Sequence, residues 1–282
     1  METGIADICQ LEHKAALCRQ KILRMCRAHN AGHLGGAFSC ADIVTALYFH
    51  TMRHDPINPA MPDRDRFLLS AGHKSLVQYA ALCESGYFPE ELLDTYGCLH
   101  CKMPGHPDKR KIPGIEANTG ALGHGLAIAC GMALGVRSMG YGSRIFVVMG
   151  DGELAEGMNW EAAAAAAHHK LDNICVVVDN NHLQISGAVE EVMSFQPVAE
   201  HFAGFGWVTR EIDGHDMSRI VGALDALPFE KGKPSLIVAQ TTKGKGYSKA
   251  ENVGAYHFWL PAEGELDKAE EENREVLKRY ES

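Results

Sequence analysis

The chain has no surplus of positive charge, no long apolar run and no paired set of cysteines, and each absence closes off a class of function. Its formal net charge is −9. No dense lysine or arginine stripe offsets that balance, so a nucleic-acid surface is not expected. The one short basic cluster, Lys109-Arg110-Lys111, reads as a solvated loop. No apolar stretch approaches membrane-spanning length, so no membrane contact is expected. The first residues, Met1 to Ile8, carry neither the basic nor the apolar region of a secretory signal. Nine cysteines are an odd number scattered along the chain; that fits reduced thiols in a cytoplasmic protein better than a disulfide framework. Cys98-Leu-His-Cys101, with His100 and His106 close by, has the outline of a zinc or redox site. No second CxxC completes a four-ligand set, and structural thiols are the preferred reading. Internal repeats and breaks in composition are missing too.

What remains is an ordinary globular composition, 46% hydrophobic and 22% charged over 282 residues. That length suits a single α/β domain over 1–282, burying roughly three quarters of its unfolded surface. A charged helical tail, from about 265 to 282, is expected at the surface.

The most specific signal is Gly150-Asp151-Gly152. It follows Arg144-Ile-Phe-Val-Val-Met149, a continuous apolar run of the kind buried on both faces of a parallel sheet. An alanine-rich helix is expected from Met158 to Leu171, then a second buried strand, Ile174 to Asp179, running into Asn180-Asn181. A strand, helix, strand order with a right-handed crossover makes the strands parallel. Asp151 and Asn181 therefore emerge at the same sheet edge, where open α/β sheets bind ligands. A carboxylate and a carboxamide oxygen are hard ligands for Mg²⁺ or Ca²⁺, and the flanking glycines let backbone N–H groups approach a phosphate. Alone, the Gly-Asp-Gly would be a tight βα turn; the paired asparagines turn the reading towards a metal-held diphosphate.

Elsewhere, Ile5 to His29 has the three- and four-residue spacing of an amphipathic helix. A glycine-broken loop, Gly32-His33-Leu34-Gly35-Gly36, follows, and Ser39 is the expected N-cap of a helix from about Cys40 to Met52. Arg66 to Ser70 is a short strand that delivers His73 to the ligand edge. Gly97 to Thr119, rich in Gly, Pro and His, is an expected active-site loop. Gly120-Ala-Leu-Gly-His-Gly125 opens a helix to about Met139, and helix N-termini favour anions. Two further strands, Trp207 to Ile212 and Ser235 to Gln240, flank a helix near Met217 to Leu227.

In this order, Gly32-His33 with Gly35-Gly36, Leu69-Ser-Ala-Gly-His73, Pro104-Gly-His-Pro107, Thr119-Gly-Ala-Leu-Gly-His-Gly125, Gly150-Asp-Gly152 with Glu156-Gly157, Asn180-Asn181, Asp213-Gly-His-Asp216 and Thr242-Lys-Gly-Lys-Gly246 resemble the thiamine diphosphate-binding half of transketolase, from about Ile5 to Pro261. The resemblance implies an α/β thiamine diphosphate-binding fold, a mostly parallel sheet with helices on both faces. It implies that Asp151, Asn181 and the backbone carbonyl of Leu183 hold the metal, Mg²⁺ or Ca²⁺. Gly152, His73 and His257 would lie near the diphosphate, Leu122 near the aminopyrimidine and Ile185 near the thiazolium, with Gly120 also at the cofactor. His33, His73, His106 and His257 would face the sugar, with His257 as base on the donor's C3 hydroxyl. Imidazoles suit that work, because they donate and accept hydrogen bonds near neutral pH. Glu156 falls at a subunit interface near the cofactor by the resemblance, and at a favourable helix start by its own sequence context.

A full transketolase continues into a pyrimidine-binding domain and a third domain. This chain stops at Ser282, so the expectation is the first subunit of a split transketolase. Its C-terminal partner subunit would supply the pyrimidine-binding domain, in an α2β2 heterotetramer that moves a two-carbon ketol unit between sugars. Sugar phosphates are the default substrates, with sulfonated or otherwise modified sugars open because His124 and the Cys98–Cys101 loop depart from the family pattern. The α-subunit of a 2-oxoacid dehydrogenase and a non-catalytic cofactor-binding paralogue are the rival readings.

Overall fold

A computed structural model describes residues 7–280. The expected helix start at Ile5 and the last two tail residues lie outside the described residues. Helix α1 spans Ile8–His29, its first turn capped by the Asp7 carboxylate accepting from the Gln10 amide at 3.1 Å. It places Leu11, Ala15, Cys18, Ile22, Met25 and Cys26 in the core, the spacing read from sequence. Then come α2 (Leu34–Ser39), α3 (Ala41–Ala46) with a π turn at Leu47–Thr51, strand β1 (Arg66–Leu69) and α4 (Ser75–Glu84). Beyond a long irregular segment lie α5 (His124–Ser138), β2 (Ile145–Gly150), α6 (Gly157–His168) and β3 (Ile174–Asn180). The short hairpin β4 (Leu183–Gln184) and β5 (Gly187–Ala188) leads through α7 (Val189–Val192) and α8 (Val198–Gly204) to β6 (Val208–Asp213). The chain then runs through α9 (Met217–Asp225), β7 (Ser235–Gln240) and α10 (Glu265–Leu277). Among the described residues no helix is long and apolar enough to cross a membrane.

The five long strands form one parallel sheet in the order β1-β2-β3-β7-β6. Successive side chains alternate faces, and the two hydrophobic clusters divide accordingly. Phe146, Val148, Cys175, Val177 and Ile237 join the cluster that holds α1, α3, α4 and α9. Ile145, Val147, Met149, Val176, Val178 and Leu236 join the one under α5, α6 and α8. Both faces are thus covered, which is why β2 and β3 read as unbroken apolar runs. Because β2 and β3 are adjacent and parallel, Asp151 and Asn181 leave the same edge.

Three expectations need correction. Ser39 does not cap a helix from Cys40 to Met52: the chain is already helical from Leu34, and the following helix is broken into α3 and the π turn. Gly35 and Gly36 are helical residues whose lack of a side chain permits close packing. A Cβ on Gly35 would sit 2.8 Å from the Tyr256 carbonyl oxygen. The helix expected from Gly120 starts at His124. The tail is more than a solvated surface helix. Its α10 buries Leu266, Ala269, Asn273 and Leu277, and the Asn273 side chain donates to the α1 carbonyl of Ala16 at 3.2 Å.

One polar cluster ties α1, α3 and the loop after β7 together. Arg19 makes a two-pronged pair with Asp42, Nη1 to Oδ1 at 2.8 Å and Nη2 to Oδ2 at 2.7 Å, and its Nε donates to the Lys245 carbonyl. The Thr242 amide donates to Nε2 of His215 at 2.8 Å, so the ring hydrogen sits on Nδ1 and is shared with Asp42 at 2.8 Å. Burial alone would raise the Asp42 carboxyl; the Arg19 charge and the hydrogen bonds from His215 and Arg19 hold it well below the usual carboxylate range. A depressed folded-state value means that the stabilisation is present above about pH 4, the unfolded value, and is lost as pH falls towards the folded one. Asp42→Asn is expected to cost about 3 kcal/mol in denaturant unfolding at pH 7, with the gap to the parent chain narrowing below pH 4.

Candidate active site

At the carboxyl ends of β1, β2, β3 and β7 lies a cavity of about 310 Å³. Its walls bring together His33, His73, Gly120, Leu122, Asp151, Gly152, Asn181, Leu183, Ile185 and His257 from six separate stretches of chain. His106 stands just behind, its ring centroid 6.3 Å from that of His33. Glu156 does not line the cavity. It occupies the N-cap position of α6 without making a side-chain cap hydrogen bond, packed against Gly123.

The turn after β2 is tightly specified. Asp151 is 4% exposed; its Oδ1 accepts from the Gly152 amide at 2.8 Å and its Oδ2 from the His182 amide at 2.5 Å. A Cβ on Gly152 would lie 2.8 Å from Gln184, so only glycine lets the two turns close over each other. Asn181 is fixed by both ends of its carboxamide. Nδ2 faces Asp179 (3.2 Å) and Ser39 (3.3 Å), while Oδ1 accepts from the Leu183 amide at 3.1 Å. The carboxylate of Asp151, Oδ1 of Asn181 and the carbonyl of Leu183 form a set of hard oxygens suited to a small divalent cation. Burial, then the neighbouring Asp179, push the Asp151 carboxyl up to about 6 against the pull of Lys74. One oxygen of the set already meets a cation: Lys243 Nζ donates to the Leu183 carbonyl at 3.0 Å. The donor set therefore fits a divalent metal.

The same cavity holds a cluster of imidazoles. Ring centroids of His33 and His73 are 5.3 Å apart, His73 and His257 5.0 Å, and His33 and His257 5.6 Å. Burial pushes His33 down to about 4, His73 to about 2 and His257 to about 3, with neighbouring positive charge adding to each; burial lowers His106 as well. All four are neutral near pH 7, so each offers one donor and one acceptor nitrogen. Lys243 Nζ stands 3.2 Å from Nδ1 of His257, which leaves Nε2 for other work.

Sequence reading missed the cavity's two lysines. Lys74, next to His73, is buried and donates to Asp179 at 2.6 Å. Lys243 falls inside the Thr242–Gly246 motif, which could have singled it out; burial lowers it to about 8. Glu153 was missed too. Fully buried, it accepts from Ser70 at 2.5 Å, the Gly123 amide at 2.9 Å and the Gly150 amide at 3.2 Å, tying β1, the Leu122 segment and the β2 turn together.

Residues 13–271 match the family model described as the thiamine diphosphate binding domain of transketolase. The chain is 40% identical over 264 residues to a subunit of the apulose-4-phosphate transketolase of Actinobacillus succinogenes, covering 93% of this chain and 95% of that one. It is 40% identical over 265 residues to the 6-deoxy-6-sulfo-D-fructose transketolase subunit SqwG of a Clostridium species, covering 92% and 96%. Among solved structures, the transketolase of Campylobacter jejuni superposes with a TM-score of 0.88 at 33% identity, over 96% of this chain but 45% of that one. This chain therefore belongs to the family of transketolase thiamine diphosphate-binding domains.

Proposed function

We propose that this chain is the thiamine diphosphate-binding subunit of a two-chain transketolase, transferring a two-carbon ketol unit from a ketose to an aldose. The observation that carries the reading is one cavity lined by both a hard-oxygen set and a neutral histidine cluster, with Lys243 Nζ in reach of the Leu183 carbonyl and of His257. In the assembly Asp151, Asn181 and the Leu183 carbonyl hold Mg²⁺, or Ca²⁺ in its place, against the cofactor diphosphate. Gly152 lets the backbone close on that diphosphate. Leu122 would hold the aminopyrimidine and Ile185 the thiazolium, with Gly120 also at the cofactor. When bound, thiamine diphosphate supplies the carbanion chemistry, and the protein orients and shields it. His257 accepts the proton of the donor's C3 hydroxyl through Nε2 as the C2–C3 bond breaks, while His33, His73 and His106 hold the sugar hydroxyls. Glu156 meets the second chain.

The need for a second chain is supported by the relatives. Two that match over nearly their whole length are named as transketolase subunits, whereas this chain spans 45% of the solved transketolase. The partner subunit brings the pyrimidine-binding domain and the ligands for the substrate's distal anion, a phosphate or a sulfonate, within a cytoplasmic α2β2 heterotetramer.

Three outcomes are expected. In the assembled complex, Asp151→Ala abolishes Mg²⁺-dependent retention of thiamine diphosphate on gel filtration; undiminished retention removes the metal assignment. His257→Ala lowers kcat by roughly 10² or more, the span of general acid–base catalysis, with cofactor affinity nearly unchanged. Equal kcat rejects its role as base. The purified chain alone is inactive with ketose donors and 2-oxoacids alike, and ketose turnover appears only on mixing with the partner. Turnover by the single chain, or turnover of the 2-oxoacid in the mixture, contradicts the reading.

A further inference from the structure

Six of the nine cysteines are buried, and Cys9 stands exposed near the start of α1. The remaining two share one turn, remote from the oxygen set and unused by the ketol-transfer chemistry. The Cys101 amide donates to the Cys98 carbonyl at 3.2 Å. His100, third in that turn, has a φ of 61°, the left-handed conformation that a type II turn demands there and that glycine or asparagine usually supplies. Such a turn brings its first and last α-carbons within about 7 Å, and disulfides span about 4.4–6.8 Å between α-carbons. Cys98 is exposed and Cys101 half-buried, with Cys101 Sγ 3.2 Å from the Met103 carbonyl. The turn is pinned on both sides. Gly97 donates to the same Met103 carbonyl at 3.0 Å, and Lys111 Nζ to the Cys101 carbonyl at 3.3 Å. Among the described residues no group of three or more His, Cys, Asp or Glu side chains is arranged to hold a metal.

We propose that Cys98 and Cys101 are a redox-active dithiol that closes to an intramolecular disulfide, with a low-molecular-weight disulfide such as oxidised glutathione as oxidant. Cys98, the accessible thiol, attacks one sulfur of the oxidant as its thiolate. A mixed disulfide forms, the oxidant's S–S bond breaks, and the first small thiolate leaves and takes up the proton Cys98 gave to solvent. Cys101 then attacks the Cys98 sulfur. The protein disulfide forms, the mixed bond breaks, and the second small thiol departs with the proton lost by Cys101. Two protein thiols are oxidised and one small disulfide is reduced to two thiols. Closure also removes the S–H that Cys101 offers to the Met103 carbonyl. That carbonyl opens the segment in which Tyr79 and Ser75 hold the carbonyls of Pro104, Gly105 and His106. The oxidation state of the turn thus acts on the segment that carries His106.

The test is to incubate the purified full chain with oxidised glutathione, count free thiols after denaturation, and map the peptides. Beyond any glutathione carried by the exposed Cys9, two of the nine thiols should disappear and return with dithiothreitol, the loss mapping to an internal Cys98–Cys101 link. Cys101→Ser should stop with one glutathione on Cys98, and Cys98→Ser should leave Cys101 unmodified, both variants keeping the circular dichroism of the parent. An unchanged thiol count in the parent chain, or a glutathione adduct on Cys98 that persists although Cys101 is present, overturns the proposal. Neither measurement depends on ketol transfer.

Discussion

The carboxylate of Asp179, at the end of β3 and wholly buried, is the constraint on which the rest of the site depends. It accepts from Lys74 beyond β1 at 2.6 Å, from Ser39 on α2 at 2.5 Å, from the Asn181 amide at 3.2 Å and from the Thr241 hydroxyl beyond β7. Three segments that arrive from different parts of the sequence are thereby fixed around the end of β3. Burial alone would raise this carboxyl, but the Lys74 charge and the donated hydrogen bonds hold it below its ordinary range. A buried pair of this kind is weak evidence for net stability, because desolvation offsets the Coulomb gain. Its consequence here is geometric. With Nδ2 of Asn181 turned to Asp179, Oδ1 can only face the Leu183 side, where the other hard oxygens converge.

Sheet topology makes such convergence possible, and topology was the part most readable in the sequence. The unbroken apolar runs before Gly150 and Asn180 could only be central parallel strands, and the pairing of β2 with β3 follows from one crossover. The imidazoles were legible as chemistry, since His33, His73 and His257 sit on glycine-rich segments whose irregularity needs a reason. What could not be read was anything set by tertiary contact. Gly35 looks like a chain breaker in one dimension and is a packing requirement in three, because its reason is a carbonyl more than two hundred residues away. Ser39 has the residue type and position of an N-cap, yet its hydroxyl serves Asp179 instead. The buried lysines were missed on the same ground. A lysine is presumed solvated until a carboxylate is found for it, and the carboxylate that claims Lys74 lies 105 residues away.

The imidazoles and the oxygen set are held in their chemical states by one cause acting with opposite results. Burial suppresses whichever form is charged. On the imidazoles it enforces neutrality, which keeps both nitrogens available for hydroxyl groups. On Asp151 it raises the carboxyl towards 6, and the like charge of Asp179 raises it further. A carboxylate so placed gains most from a cation at its side, and Lys74 is already committed to Asp179. The imidazoles thus stay uncharged, while the oxygen set meets the ammonium of Lys243 at the Leu183 carbonyl.

Charge also sets the oxygen set apart from the apolar rim of the cavity. Around the β2 and β3 turns two carboxylates, Asp151 and Asp179, face one fully held lysine, with Lys243 pushed down to about 8 beside them. Lys243, at about 8, is still mostly protonated at pH 7 and nearly balances them; a divalent cation would add the positive excess that favours a diphosphate. No comparable logic closes the far end. There Ile185 is 72% exposed and Phe258 47% exposed, large apolar side chains at the rim of an otherwise well-packed domain, and burying them needs another surface. A cofactor anchored through its diphosphate would project its rings towards that rim. The apolar side chains that call for another surface are therefore at the rim, while the oxygens that would take a cation all belong to this chain.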